Sequence, residues 1–327
     1  MQIVPFSNLF RIFSPSEFSD FALQLFHYQY DLNKVYQEYC NYLNIKPEKV
    51  NSIEKIPFLP VSFFKTHRVI TGNFIPEITF FSSSTTGIQP SKHEIKDISL
   101  YEMSFIKSFE YFYGNPRQYV FLALLPSYLE REGSSLIYMI EKLMQLSGKK
   151  ENDFFLYNHE QLFKILVELK KKKEKTILFG VTYALLDFIE NYRIDFPELI
   201  LFETGGMKGR RKELIKKEVH HSLQEAFHLQ NIHSEYGMCE LLSQAYSTGN
   251  NIFNTPPWMK FLLRDEKNPL HISNSLSEGA INIIDLANIH SCAFIATDDL
   301  GRQNGNGVEI IGRFDDAEIR GCNLLIL

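Results

Sequence analysis

Several segments of this 327-residue chain hold side chains whose types and spacing suit phosphate and metal chemistry. The first is Ser82-Ser83-Ser84-Thr85-Thr86-Gly87, with Lys92 close behind. A run of hydroxyls closed by a glycine can turn many backbone N–H and side-chain O–H donors toward one anion, and a nearby lysine adds a point charge. That composition suits the β- and γ-phosphates of a nucleotide. Neither G-x-x-x-x-G-K-[ST] nor G-x-G-x-x-G is present, and a Ser/Thr-rich surface turn is the plain alternative.

Further along, Glu203-Thr204-Gly205-Gly206 pairs two glycines, which permits close backbone approach to a flat ligand such as adenine. Tyr236-Gly237-Met238-Cys239-Glu240 joins a ring that could stack a base, a glycine that could admit a phosphate, and a carboxylate that could hold Mg2+. It could equally be a strand-to-helix turn with Glu240 in a first helical turn, where the dipole favours it. In Thr297-Asp298-Asp299-Leu300-Gly301 a carboxylate at a strand end could accept both hydroxyls of a ribose, and an Asp-rich hairpin turn is the alternative. Last, Ile311-Gly312-Arg313-Phe314-Asp315-Asp316 continues to Ile319-Arg320-Gly321; an arginine there could bond a ribose or phosphate, or lie in a charged loop.

Apolar runs position these segments. Ile-Thr-Phe-Phe at 78–81 leads into the hydroxyl loop and 199–202 leads into the glycine pair, while the mixed stretch 230–234 leads into Tyr236. The continuous apolar runs 119–125 and 176–181 read as buried strands. Helical periodicity covers 16–45, roughly 97–113, 133–147, 159–173 and a charged stretch at 210–228. Strands alternating with helices predict an α/β fold with a largely parallel sheet, whose ligands sit at the carboxyl ends of strands. The last third differs. Residues 280–285, 293–297 and 308–311, separated by Gly, Asn and Asp, predict a distorted antiparallel β subdomain.

Composition limits the function classes. A formal charge of −5 gives no reason to expect a nucleic-acid or anionic-membrane partner. The basic run at 170–175 reads as a solvated helix end. The 4 cysteines, Cys40, Cys239, Cys292 and Cys322, include no C-x-x-C pair, which argues against a zinc or redox motif. The N-terminus lacks a signal-peptide pattern and no apolar stretch is long enough for a bilayer, so the expectation is a cytoplasmic protein without a membrane span.

Taken in order, the hydroxyl loop, the paired glycines, Y-G-x-x-E, T-D-D and G-R-x-D-D resemble the adenylate-forming superfamily of acyl-CoA synthetases, peptide-synthetase adenylation domains and firefly luciferase. The resemblance spans roughly residues 80–322. The segment Ile56-Pro57-Phe58-Leu59-Pro60-Val61-Ser62-Phe63-Phe64-Lys65 resembles the LuxE-type acyl-protein synthetases of bacterial luminescence systems. This resemblance implies an adenylation core over 1–312, with the β subdomain at about 245–312. It also implies a hinge with a truncated C-terminal remnant at 313–327. The small C-terminal domain that supplies the superfamily's catalytic lysine would be largely missing.

By the same resemblance ATP and Mg2+ are the cofactors. Ser82, Ser83, Ser84, Thr85, Thr86, Gly87 and Lys92 would wrap the pyrophosphate, Gly205 and Gly206 would line the adenine, and Tyr236, Gly237 and Met238 would pack on the nucleotide. Glu240 would bind Mg2+, and Asp298, helped by Arg313, would hold the ribose. The implied reaction turns a carboxylic acid, a fatty acid by the LuxE likeness, into acyl-AMP with release of pyrophosphate. A protein or carrier thiol then takes the acyl group, with an acyl reductase or acyl-carrier protein as partner. The chain departs from the pattern in three places. It reads T-T-G-I-Q-P-S-K where the family has T-T-G-x-P-K. It has Cys239 where Thr or Ser is usual, which makes Cys239 and Cys322 candidate acyl acceptors. And only residues 317–327 follow Asp316. A non-catalytic nucleotide- or acyl-binding subunit and an acyltransferase using a pre-activated thioester are the alternatives.

Overall fold

The computed structural model describes residues 6–12, 14–82, 89–126, 133–205, 216–272 and 276–313. They divide into two units: one holds the chain up to Lys107 with 237–245 and everything from Ile252, the other holds 108–236 with 246–251.

The first unit opens with α1 (Pro15–Leu32) and α2 (Lys34–Tyr42). A capping box starts α1: Glu17 N donates to Ser14 Oγ at 3.2 Å and Ser14 N donates to Glu17 Oε2 at 2.9 Å. The periodicity at 16–45 read as one helical stretch. It is two helices because Asn33 leaves helical dihedrals and accepts from Tyr36 N at 3.0 Å, capping α2. The proline-bounded segment then runs extended. Tyr36 Oη donates to Pro57 O at 2.6 Å and Tyr39 Oη donates to Phe58 O at 2.9 Å, so one face of α2 fixes its path. It contains β1 (Leu59–Pro60) and ends in α3 (Phe63–Thr66). An antiparallel hairpin follows, β2 (Ile78–Phe81) and β3 (Lys92–Ile95), closing at the pair Phe81 and Lys92. Helix α4 (Ile98–Tyr113) leaves the hairpin and carries the chain into the second unit.

In the second unit strands and helices alternate: β4 (Val120–Leu124), α5 (Ser135–Ser147), β5 (Asp153–Phe154), α6 (His159–Lys172), β6 (Thr176–Gly180), α7 (Thr182–Asn191), β7 (Ile200–Glu203), α8 (Lys216–Phe227) and β8 (Ser234–Tyr236). The sheet order is β5-β4-β6-β7, all parallel. Every residue of β4 and β6 is buried, as expected of strands covered on both faces. Their side chains meet Leu162, Leu166 and Leu169 of α6, Leu185 and Phe188 of α7, and Leu223 and Phe227 of α8 in one core. His233 bridges Phe202 in parallel, so the approach to β8 extends the sheet beyond β7. Strand β8 pairs with β9 (Ala245–Ser247), whose Tyr246 and Ser247 belong to this unit. The lysines at the end of α6 form surface pairs such as Lys170 with Asp195 and Lys172 with Glu151, so the basic run is a solvated helix end.

The chain returns to the first unit with β10 (Ile252–Phe253), β11 (Met259–Arg264), β12 (Glu278–Asp285), β13 (Phe294–Asn304) and β14 (Gly307–Arg313). These pair antiparallel in the order β10-β14-β13-β12-β11. Bulges interrupt the register near Ala280 and at Leu300/Gly301, which bends the strands as predicted for a distorted subdomain. At Gly279 any Cβ would stand 2.4 Å from the Arg264 carbonyl oxygen, so only glycine fits. Buried Arg264 stitches three strands, donating to Ile281 O at 2.8 Å, Asn282 Oδ1 at 2.7 Å and Thr297 O at 2.5 Å. Strand β1 adds in parallel to β13, with Leu59 opposite Ile295 and Pro60 opposite Ala296. Proline at 60 is tolerated because this short strand lies at a sheet edge. Among the described residues no helix is long and apolar enough to cross a membrane.

Candidate functional site

The hydroxyl loop leaves β2 and returns into β3. Residues 83–87 of it lie outside the described residues, as does Gly206. Its stem is described. Ser82 N donates to Ser91 O at 3.1 Å and Ser91 N donates to Ser82 Oγ at 2.9 Å, so the loop closes on a serine pair. Lys92 begins β3 and is exposed, whereas Ser91 and His93 on either side are buried. Strand alternation thus aims Lys92 to the face opposite His93.

Residues 237–245 lie in the same unit as that stem. Cys239 and Glu240 are buried, and Cys239 Sγ is 4.0 Å from the Ser91 carbonyl. His93 Nδ1 meets the Cys239 carbonyl at 2.6 Å, and Asn288 Nδ2 donates to the Glu240 carbonyl at 2.8 Å. Asp285 Oδ2 accepts from Leu242 N at 2.8 Å and Ser243 N at 2.9 Å, while Ser243 Oγ donates to Asp285 Oδ1 at 2.6 Å. Burial pushes the Asp285 carboxyl up, and these donors offset part of that. Burial lowers the His93 imidazole to about 4, so it is neutral. The structure therefore brings the root of the hydroxyl loop beside the Cys239-Glu240 pair. Sequence motifs pointed to both segments, but His93, Asn288 and Asp285, which join and hold them, carried no motif.

The Cys239 thiol is held strongly protonated, first by burial and then by the neighbouring Glu240. A buried neutral thiol is a packing residue and a poor nucleophile. Glu240 makes no ion pair among the described residues. A carboxylate free of ion pairs could be one ligand of Mg2+, which binds one or two carboxylates and takes its remaining ligands from water and phosphate.

On β13 and β14 the structure pairs Arg313 with Asp299 rather than with Asp298. The two residues are opposite in register, with Arg313 Nε donating to Asp299 Oδ1 at 2.9 Å. Asp299 is 7% exposed, whereas Asp298 is exposed. Successive strand residues face opposite sides, so only one of the two aspartates can share a face with Arg313.

In the second unit Gly205 adopts φ +77°, a conformation that favours glycine. The turn is anchored by Glu203, which motif reading passed over. Glu203 Oε1 accepts from Gly205 N at 2.8 Å and from Thr182 Oγ1, and Oε2 faces His220 at 3.5 Å and Lys216 at 3.9 Å. Burial alone would raise this carboxyl, but His220, Lys216 and Thr182 together hold it below the ordinary range. Tyr236 ends β8 half-buried, and the division between units falls between it and Gly237. Next to it Glu235 is pushed up to about 8 by burial.

A parallel α/β unit, a distorted antiparallel sheet and a hydroxyl loop rooted beside a buried Cys-Glu pair together define an adenylate-forming ligase fold. The chain belongs to the LuxE acyl-protein synthetase family, whose model matches residues 15–327. Among solved structures it is similar to a 2-hydroxyisobutyryl-CoA ligase held in a postadenylation state with an acyl-AMP. The TM-score is 0.64 at 13% identity, over 93% of this chain and 69% of that one. It is also similar to ATP-bound MatB from Rhodopseudomonas palustris (TM-score 0.52, 12% identity, 72% of this chain and 47% of that one). An ATP-bound chimera, RpMatB-BxBclM B1, gives TM-score 0.56 at 12% identity over 73% and 48%. At these identities the likeness is one of fold, and the chain spans about half the length of the MatB-type ligases, 47% and 48%. No curated protein matches the chain in sequence.

Proposed function

We propose that this chain uses ATP to activate a carboxylic acid, of the fatty class, as its acyl-AMP, releasing pyrophosphate, and then passes the acyl group to a protein or carrier thiol. The observation that carries this reading is the contact of the hydroxyl-loop root, Ser91 to His93, with the buried Cys239-Glu240 segment. Family membership and the ligand-bound states of the similar ligases support it.

In this reading the hydroxyls of residues 82–86, Gly87 and Lys92 donate to the pyrophosphate portion of ATP. Gly205, Gly206 and Tyr236 border the adenine, and Gly237 and Met238 continue that wall. The Asp298-Asp299 end of β13 takes the ribose hydroxyls, with Asp299 favoured by its pairing to Arg313. Glu240 is the residue that would hold Mg2+, which when bound neutralises charge on the phosphates. As the acid's carboxylate attacks the α-phosphate, charge grows on the phosphoryl oxygens, and fixed donors stabilise it without reorganising. Losing one such donor should cost about 2–4 kcal/mol in the transition state. The acceptor is an acyl-carrier protein, an acyl reductase, or Cys322, which lies outside the described residues. In this reading residues 1–312 form the adenylation core and the hinge lies within 313–327.

The test is pyrophosphate release with ATP, Mg2+ and a panel of fatty and aromatic acids, with hydroxylamine to trap acyl-adenylate. Release that depends on a fatty acid is the expected result. ATP binding without any acid-dependent release would favour a binding subunit instead, and acyl transfer only from a preformed thioester would favour an acyltransferase.

A further inference from the structure

The segment that carries Glu240 is gripped by its backbone. Nδ1 of His93 lies 2.6 Å from the Cys239 carbonyl oxygen. A carbonyl oxygen only accepts, so that ring nitrogen bears hydrogen. The next carbonyl along, that of Glu240, accepts from Asn288 Nδ2, which also donates to Cys292 O at 2.9 Å. Two residues further on, Asp285 takes the amides of Leu242 and Ser243. The three gripping side chains are themselves closed to solvent: His93 and Asn288 are each 1% exposed and Asp285 is 0% exposed. The His93 ring stands edge-on to Phe64, with centroids 5.7 Å apart, which fixes its rotation. Any shift of 239–243 would leave buried polar groups unpaired, so the segment has one low-energy place.

His93 also has a particular address. It directly follows Lys92, and on the other side of Lys92 the Ser91 carbonyl stands 4.0 Å from Cys239 Sγ. The strand that ends the phosphate loop is thus bonded to the segment that carries the proposed metal ligand.

We propose that His93 is a positioning residue for Glu240: its Nδ1–H fixes the Cys239–Glu240 peptide, and through that peptide the direction in which the Glu240 carboxylate meets Mg2+. This rests on the acyl-adenylate reading above. The bond sets the spacing between the root of the phosphate loop and the metal ligand, a role that neither side chain on the loop segment can fill alone.

The test compares wild type, His93→Asn and His93→Leu in the full chain, measuring ATP affinity by calorimetry with and without Mg2+, alongside thermal unfolding. Asparagine can place an amide nitrogen where Nδ1 stands; leucine removes the donor and leaves a buried carbonyl unpaired. His93→Leu is expected to weaken ATP binding in Mg2+ about tenfold, the effect of one lost buried hydrogen bond. His93→Asn should stay near wild type, and metal-free ATP affinity should be the same in all three. If His93→Leu unfolds, His93→Gln takes its place, because its amide reaches the Nε2 position and should fail as leucine does. Equal behaviour of the asparagine and leucine (or glutamine) variants in Mg2+ overturns the proposal, as does an equal loss with and without metal. Wild-type protein that binds no ATP overturns the acyl-adenylate reading and this one together; Mg2+-dependent binding that ignores residue 93 overturns only this one.

Discussion

Arg313 lies opposite Asp299 across β13 and β14 and donates to its carboxylate at 2.9 Å. The guanidinium side chain is 63% exposed while the carboxylate is 10% exposed, so the pair offers an oriented acceptor at the sheet surface. Asp299→Asn should weaken ATP binding about tenfold or more, the scale of one buried charge-assisted hydrogen bond. Asp298→Ala, on the opposite face, should bind nearly as wild type. Titration calorimetry of the two variants decides between them, and a larger loss at Asp298 returns the ribose role to that residue.

The three described cysteines should resist chemistry. Burial pushes the Cys40 thiol up to about 12 and raises Cys239 and Cys292 further. All three are buried and free. Iodoacetamide at pH 8 should leave them unmodified in the folded protein and label them in urea, read by mass spectrometry. A thioester recovered on Cys239 after incubation with ATP and acid would contradict this, because it requires the thiolate.

Glu235 makes stability fall as pH rises through neutrality. Its carboxyl is raised by burial from 4.5 to about 8. A group raised in the folded state adds stability that is fully present below its unfolded value and is lost as pH rises through its folded value. Wild type should therefore lose stability between about pH 5 and 8, and Glu235→Gln should be flatter, by about 1 kcal/mol or more across that window. Glu203, held below the ordinary carboxylate range, stays ionised over this window and adds nothing to the slope. Urea midpoints at both pH values test the difference, and parallel curves for the two proteins would remove Glu235 from the account.

Gly205 turns the chain at φ +77° with open space where a Cβ would stand. Alanine there meets no clash but must adopt a left-handed backbone, at about 1–2 kcal/mol. Gly205→Ala should lower the urea midpoint accordingly. An unchanged midpoint would mean that the turn relaxes, with Glu203 releasing the Gly205 amide.

Much of this architecture was legible because local patterns sufficed. The apolar runs at β4, β6 and β7, and the turn residues of the last third, announced strands without knowledge of their partners. Strand β11, Met-Lys-Phe-Leu-Leu-Arg, was missed because it mixes buried and half-buried positions without clear alternation. Helix α7 was missed because its apolar content continues straight on from β6. In the site, hydroxyls, glycines and Y-G-x-x-E stood out by composition. His93, Asp285 and Asn288 did not, because their partners lie far along the chain and a lone buried polar residue has no local signature. Seeing that Arg313 faces Asp299 rather than Asp298 required the strand register, which the dipeptide alone could not provide.

Strand β1 completes the edge of β13 from the far end of the sequence, Leu59 against Ile295. A pairing across so long a stretch closes late, since the entropy of the intervening chain opposes it until other contacts form. During synthesis residues 108–236, which hold the four-stranded parallel sheet, emerge while the N-terminal helices still lack their sheet. The expected order of events on the ribosome is then inverted relative to the chain: the middle folds first, and the N-terminal residues wait for strands translated after it.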